Sequence, residues 1–402
     1  MYTKEFLIKM EDIKTAEKQS ERGSLLGVAG FACLHFVNDM HATILPAVIP
    51  MLVSSINLSF TQAGILSGLF GFTHIMGQPI SGFLADRQSK PYFAVWGPLL
   101  TIVCASMLPM SPNFAIAFIT VLFMSMGTAL FHPQGVGRAG SAASSANLAF
   151  FISLFSACGS FGSAVAPLYI VFLVQTMGTH GAPVVILPAL LLCLFFWKRL
   201  PSQEPRKHSA SENGAGGFLR NVRDVMGKIW TIVFAVSLRD ASYQSIRVFL
   251  PMLVILKGGT MESGSLTLFF VTLAGTIAGM IGGKLADTIG DRKILLCSIA
   301  VAPFFVLAGL LMSGPFALAV LTVGCALLQA SSPVTTAMAQ RRCAESRSTA
   351  SSLAMGVSWG IANLFALPVG ASADAIGLEP TLYFVAVVPW VVTTFFLFRH
   401  EK

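Results

Sequence analysis

Two acidic side chains stand deep inside apolar runs, each with polar neighbours at helical spacing. Asp39 lies about fifteen residues into one run, with His35 four positions before it and Asn38 beside it. Residues four apart share one face of a helix, so His35 can hydrogen-bond Asp39 and share its proton. Asp240 lies about eleven residues into another run, and Tyr243, Gln244 and Arg247 follow it at i+3, i+4 and i+7. That is one polar stripe along a helix, which must face an interior or a wet cavity. An ionised side chain at the centre of a membrane helix costs on the order of 2.5–3.5 kcal/mol on insertion scales, so each acid demands a partner, water or a function. A carboxyl group in such surroundings can take up and release a proton. The alternative is structural, with His35 and Asp39 fixing helix packing by hydrogen bonds.

Arg239 adjoins Asp240 but projects about 100° away from it on an ideal helix, so a pair with Asp39 from another part of the chain is expected. Such a pair would lock two parts of the molecule together. Alternatively, Arg239 or Arg247 receives an anionic group, because guanidinium binds phosphonate and carboxylate bidentately. His41 and His74 have no acid at helical spacing and read as packing or cavity lining. His132 precedes Pro133 and Gly135, where a helix should break; a gate or proton exit there competes with a capping and turn role.

The elements that position these residues follow from composition. The chain has 54% hydrophobic and only 11% charged residues, with a mean hydropathy of +0.75; soluble domains carry about 25% charged residues. Its apolar runs have the roughly 20-residue length of membrane-spanning helices, and the alternating segments of a membrane β-barrel are absent. Twelve spans are expected, near 24–54, 61–84, 92–110, 113–132, 145–175, 182–198, 229–256, 264–285, 293–313, 316–338, 348–373 and 380–398.

Short loops rich in Lys and Arg stay in the cytoplasm. Arg87, Lys90, Arg138, Lys198 to Lys228, Arg292, Lys293, Arg341, Arg342 and Arg347 fall on one side with both ends of the chain, and the other side has only Lys257. Both termini are therefore expected in the cytoplasm, and the +8 formal charge is a topology signal with no bearing on nucleic acid. Residues 1–22 read as a short amphipathic helix on the membrane surface, without a cleavable signal. Residues 201–228, with Pro, Ser, Gly and many basic residues, read as a cytoplasmic linker between bundles at 23–200 and 229–402.

The two bundles repeat one another. Adding 201 carries Asp39, Pro50, Met51, Leu52 and Val53 onto Asp240, Pro251, Met252, Leu253 and Val254, and Gly82, Leu84, Ala85 and Asp86 onto Gly283, Leu285, Ala286 and Asp287. It also carries Gly159 onto Gly360 and Pro167 onto Pro368. One shift without a gap implies two halves that fold alike, and a site at their seam can open to either side in turn.

Gly82-Phe-Leu-Ala-Asp86-Arg87-Gln-Ser-Lys90 and its echo Gly283-Lys-Leu-Ala-Asp287-Thr-Ile-Gly290-Asp291-Arg292-Lys293 resemble the loop signature of the major facilitator superfamily. The resemblance covers the chain from about residue 24. It implies an all-α membrane protein of twelve transmembrane helices arranged as two pseudo-symmetric six-helix bundles. Within it, His35-Phe-Val-Asn38-Asp39, Leu45-Pro46, Pro50 and Phe131-His132-Pro133 resemble the fosmidomycin resistance family, which implies a proton-driven exporter of the bacterial inner membrane. The arginine that many drug/proton antiporters place within the fourth span is missing on this reading, because Arg138 follows the span.

The roles expected are proton coupling at Asp39, Asp240 and His35, and substrate binding at Asn38, Arg239, Tyr243, Gln244 and Arg247. Gating falls to Gly82, Asp86, Arg87, Lys90, His132, Gly283, Asp287, Asp291 and Arg292. In this reading Gly82 and Gly283 permit close helix approach, Asp86 and Asp287 accept from helix N-termini, and the basic residues pair across a cytoplasmic gate. Gly159, Gly162 and Pro167 resemble an antiporter pattern, although tight packing explains them equally well.

The partners expected are protons, a small anionic or amphiphilic molecule and the lipid bilayer, around a monomer. No cofactor is expected. No GxxxxGK[ST] phosphate loop occurs, which argues against ATP-driven transport, and no nucleophile, base and oxyanion donors gather as an enzyme requires. The seven cysteines show no CxxC or other metal-like pairing, and the seventeen methionines are spread along apolar helices, so no metal is expected. A proton symporter importing an organic anion, and a receptor or scaffold of the same fold, are the alternative functions.

Overall fold

The computed structural model describes residues 27, 29–85, 87–142, 148–202, 215–343 and 347–398. The expected surface helix at 1–22, Asp86, Arg399, Lys402 and linker residues 203–214 lie outside the described residues.

The described residues form twelve successive helical rods. The first six are α1 (Ala29–Ile56), α2 (Phe60–Ala85), α3 (Tyr92–Met107), α4 (Phe114–Ala142), α5 (Leu148–Met177) and α6 (Thr179–Trp197). The second six are α7 (Ala215–Leu256), α8 (Met261–Ile289), α9 (Asp291–Leu311), α10 (Phe316–Arg342), α11 (Leu353–Ile376) and α12 (Leu378–Phe398). Nine of them are long and apolar enough to cross a membrane; α2, α7 and α12 fall outside that criterion. The fold is that of two like six-helix halves.

Two boundaries differ from expectation. The seventh rod starts at Ala215, inside the segment read as linker, because Val225 and Ile229 bury an apolar face against Ala339, Cys343, Ala350 and Leu353. The fourth rod does not break at Pro133 but runs on to Ala142. Proline removes the hydrogen bond to the carbonyl four residues earlier. Here that carbonyl, Ala129, accepts instead from the Ser81 hydroxyl of α2 at 2.7 Å. The same device recurs at Pro167, where Ser163 O accepts from Thr43 Oγ1 at 3.5 Å.

The halves meet at α2 against α11, α5 against α8 and α1 against α7. Backbones approach closely along α2 and α11: a Cβ on Gly64 would lie 2.3 Å from Ala366 O, and one on Gly71 2.4 Å from Gly360 O. At the end of the molecule that carries Lys257, an apolar cluster joins Ile44, Ile49 and Leu52 to Ile246, Phe249 and Leu250. Polar contacts reinforce that end. Phe60 N (2.9 Å), Thr61 N (2.8 Å) and Thr61 Oγ1 (2.5 Å) all donate to the Asp374 carboxylate, and Gln175 donates to Glu262. These hydrogen bonds and the apolar cluster hold the two halves together on the Lys257 side.

Candidate functional site

Asp39 is held by two imidazoles. His35 Nε2, one helical turn earlier on α1, lies 3.2 Å from Oδ2, and His132 Nε2 of α4 lies 3.2 Å from Oδ1. Asn38 Nδ2 donates to Oδ1 at 3.0 Å. The site is secluded but not sealed, with side-chain exposures of 9% for His35, 15% for Asp39 and 28% for His132.

The far nitrogen of each ring determines what the near one can do. His35 Nδ1 faces the Phe155 carbonyl at 2.8 Å, and His132 Nδ1 faces the Thr128 carbonyl at 3.1 Å. A carbonyl oxygen only accepts, so each Nδ1 carries the hydrogen. In a neutral ring Nε2 then presents a lone pair to the carboxylate. Each contact is attractive only with a proton between the partners, or with a cation there. Phe155 stacks on His35 with centroids 4.1 Å apart, and Gly159 leaves room for that ring, since a Cβ there would lie 2.3 Å from its atoms.

The continuation of α4 past Pro133 leaves His132 inside the helix and not at its end, and from there it meets Asp39. The same continuation corrects Arg138, which belongs to α4 and is buried. Arg138 donates to the Gln88 carbonyl, while Gln134 accepts from Ala94 N at 2.8 Å and donates to the Gln88 side chain at 3.0 Å. These two residues pin the loop between α2 and α3. His74 comes close as well, its ring centroid 6.4 Å from that of His132. His41 does not: it bonds Val37 O and Tyr169 OH instead.

The second centre is on α7. Arg239 does not reach Asp39 as expected. It folds back on its neighbour, with Nε 2.9 Å from Asp240 Oδ1 and Nη2 3.1 Å from Oδ2, and Nη1 donates to Ser331 Oγ at 3.0 Å. Gln329 donates to Asp240 at 3.3 Å, and Ser298 donates to Ser331 at 2.8 Å. Arg239 is wholly buried, at 0% exposure, and Asp240 nearly so at 1%. Neither is presented to a solute in this structure.

Two turns along, Arg247 is only half-buried. Its Nη1 donates to Gln244 Oε1 at 3.0 Å, its guanidinium carbon lies 5.5 Å from the Tyr243 ring centroid, and its buried Nε has no hydrogen-bond partner. Among the described residues it makes no ion pair with a carboxylate.

Asp291 pairs with Arg341 of its own half; Arg87, Lys90, Asp287 and Arg292 are exposed. Gly82 and Gly283 are not tight points, because an added Cβ would meet Pro133 and Pro333 at an ordinary 3.5 Å. The tight neighbour is Gly282, where a Cβ would lie 2.0 Å from Ala330 O. Residues that sequence reasoning missed include Ser331, Gln329 and Asp374. Their partners lie far along the chain, and only the 201-residue repeat hinted at which helices meet.

The comparisons agree with this architecture. The family model for the Major Facilitator Superfamily matches residues 31–367. "Uncharacterized MFS-type transporter YfnC" of Bacillus subtilis (strain 168) is 28% identical over 382 residues, covering 92% of this chain and 91% of its own. The fosmidomycin resistance protein of Escherichia coli (strain K12) is 27% identical over 383 residues, with 90% of each chain covered. A bacterial homologue of the human lysosomal transporter Spinster, solved inward-facing and occupied, superposes with a TM-score of 0.76 at 13% identity, covering 92% of this chain and 95% of that one, a likeness of fold. With two like six-helix halves and a family match across most of its length, this chain belongs to the Major Facilitator Superfamily of membrane transporters.

Proposed function

We propose that this transporter is a proton-coupled exporter of small anionic or amphiphilic compounds, working by alternating access in the bacterial inner membrane with both termini in the cytoplasm. The observation that carries the reading is Asp39 between two imidazoles whose remaining nitrogens are fixed on backbone carbonyls. That arrangement holds or surrenders protons at defined atoms, and its partial exposure gives it a route to water. His35, Asn38, His132 and, behind them, His74 are the polar groups around the carboxylate. A proton moving through about 100 mV supplies roughly 2.3 kcal/mol.

Arg247 is the substrate's anchor in this reading. Arg239 is already neutralised by Asp240, whereas Arg247 has an unpartnered Nε, no acid, Tyr243 beneath it and Gln244 at its side. A phosphonate or carboxylate matches this guanidinium in charge and in bidentate geometry. Asp240 accordingly becomes a structural counter-ion, and Asp39 carries the coupling. The similarity to the fosmidomycin resistance protein supports export.

Everted vesicles test it. With a proton gradient imposed, an exporter of this type releases protons when an anionic substrate such as fosmidomycin is added, and Asp39→Asn abolishes the signal. Substrate and proton moving the same way would instead identify a symporter. An Asp39→Asn protein that retains its phenotype would leave only a scaffold role.

A further inference from the structure

The atoms around Asp39 also form a ligand set for a metal. His35, Asp39 and His132 each offer one donor, and all three donors lie within 4.8 Å of one another. Both nitrogen-to-oxygen distances are 3.2 Å. Around a tetrahedral ion with bonds of about 2.0–2.1 Å, neighbouring donors are separated by about 3.3 Å; His35 approaches Oδ2 and His132 approaches Oδ1 at close to that distance, so one carboxylate oxygen serves both only if the cluster contracts by a fraction of its present span.

The orientation of the rings is the stronger argument. Histidines that ligate a metal through one nitrogen donate the other N–H to a carbonyl or carboxylate, which fixes tautomer and direction. Both imidazoles do so here, on Phe155 O and Thr128 O, leaving both Nε2 lone pairs aimed at the same carboxylate. Stacking on Phe155 and the absence of a side chain at Gly159 hold the His35 ring in that pose.

His74 supplies an independent observation. Both of its ring nitrogens are buried and neither has a hydrogen-bond partner, although leaving a buried polar group unpaired is destabilising. Its ring stands edge-on to His132. His74 stands outside the group of three donors and must swing towards them to serve as a fourth, a move that would satisfy one of its nitrogens.

We propose that His35, Asp39 and His132, completed by His74, bind one divalent first-row transition-metal ion of the zinc or cobalt type. Two or three imidazoles with one carboxylate suit these ions, whereas magnesium and calcium prefer all-oxygen shells. The ion reaches the site past the exposed edge of His132. All four side chains belong to α1, α2 and α4, so the site lies within the N-terminal half and does not depend on how the halves are disposed.

The test uses the full-length protein in detergent, stripped with EDTA and titrated with Co2+ by calorimetry and visible absorption. It contains no substrate and no proton gradient, so its outcome is separate from that of the transport reading. The expected result is one Co2+ per chain with the absorption of a four-coordinate N/O site, displaced by Zn2+ and not by Mg2+. His132→Gln and Asp39→Asn should weaken binding by more than about 100-fold, beyond the 10–100-fold range typical of outer-shell changes, and His41→Gln should leave it unchanged. Because His74 makes no hydrogen bond, His74→Gln leaves the bonded framework intact; it should weaken binding about 10-fold, and it replaces His132→Gln if that variant does not fold. No binding by the unaltered protein, or unchanged affinity in these variants, overturns the proposal.

Discussion

Gly159 on α5 lies directly against the imidazole of His35 on α1: a Cβ at that position would be 2.3 Å from ring atoms Cε1 and Nε2. The contact sets where Nε2 sits relative to Asp39. Gly159→Ala must push the ring or part the two helices, a strain of about 1–3 kcal/mol. Transport should fall sharply while the protein still reaches the membrane, and thermal unfolding in detergent should show the loss. A fully active Gly159→Ala protein would mean that the pose of His35 is unimportant.

The two intramembrane acids should fail in different ways. Breaking a buried ion pair by removing one partner costs about 3–5 kcal/mol, and Arg239–Asp240 is such a pair. Arg239→Ala should therefore lower expression and melting temperature. Asp39→Asn should fold near normally and lose coupling. Replacing Arg239 and Asp240 together by apolar residues should recover much of the stability.

Among the described residues Arg247 makes no carboxylate pair, so Arg247→Ala should change folding little and raise KM for anionic substrates by about 10–100-fold, the value of one charge-assisted contact of about 1.5–3 kcal/mol. Arg247→Lys should restore only part, because a point charge replaces a bidentate fork. Uptake kinetics with an anionic and a neutral amphiphile separate charge recognition from general damage.

Asp374 accepts from Phe60 N, Thr61 N and Thr61 Oγ1 across the seam. It is exposed, so the carboxylate contributes about 1 kcal/mol after screening. Asp374→Ala should shift the population towards opening on the Lys257 side by roughly fivefold, visible as wider spin-label distances between α2 and α11. An unchanged distribution would make this contact incidental.

The glycines of the two loop signatures give a further contrast. Gly82→Ala and Gly283→Ala should cost little, because their new methyl groups meet neighbours at 3.5 Å. Gly282→Ala and Gly71→Ala should be poorly tolerated, with backbone oxygens at 2.0 and 2.4 Å. Membrane yield and melting temperature of the four variants check the order.

The duplicated halves were legible because a shift of 201 residues is a property of the string itself. So was the bond between His35 and Asp39, which follows from helical spacing. The string alone misplaces His132, because Pro133 signals a helix end and the hydroxyl that offsets the lost hydrogen bond, Ser81, belongs to another helix. Arg239 was sent to the wrong acid for a related reason. Backbone geometry separates adjacent residues by 100°, but a long guanidinium can fold back when Ser331 on α10 waits for its third nitrogen. Gly159 was visible as a glycine and not as the floor beneath an imidazole. Each miss concerns a partner supplied from elsewhere in the bundle.

Each polar centre is assembled wholly within one half: α1, α4 and α5 build the first, and α7, α9 and α10 the second. Rocking one bundle against the other therefore stretches none of their bonds. In the cycle proposed above, the groups that handle charge would be carried across the stroke unchanged, like instruments bolted to two separate decks, with only the reservoir that wets them exchanged.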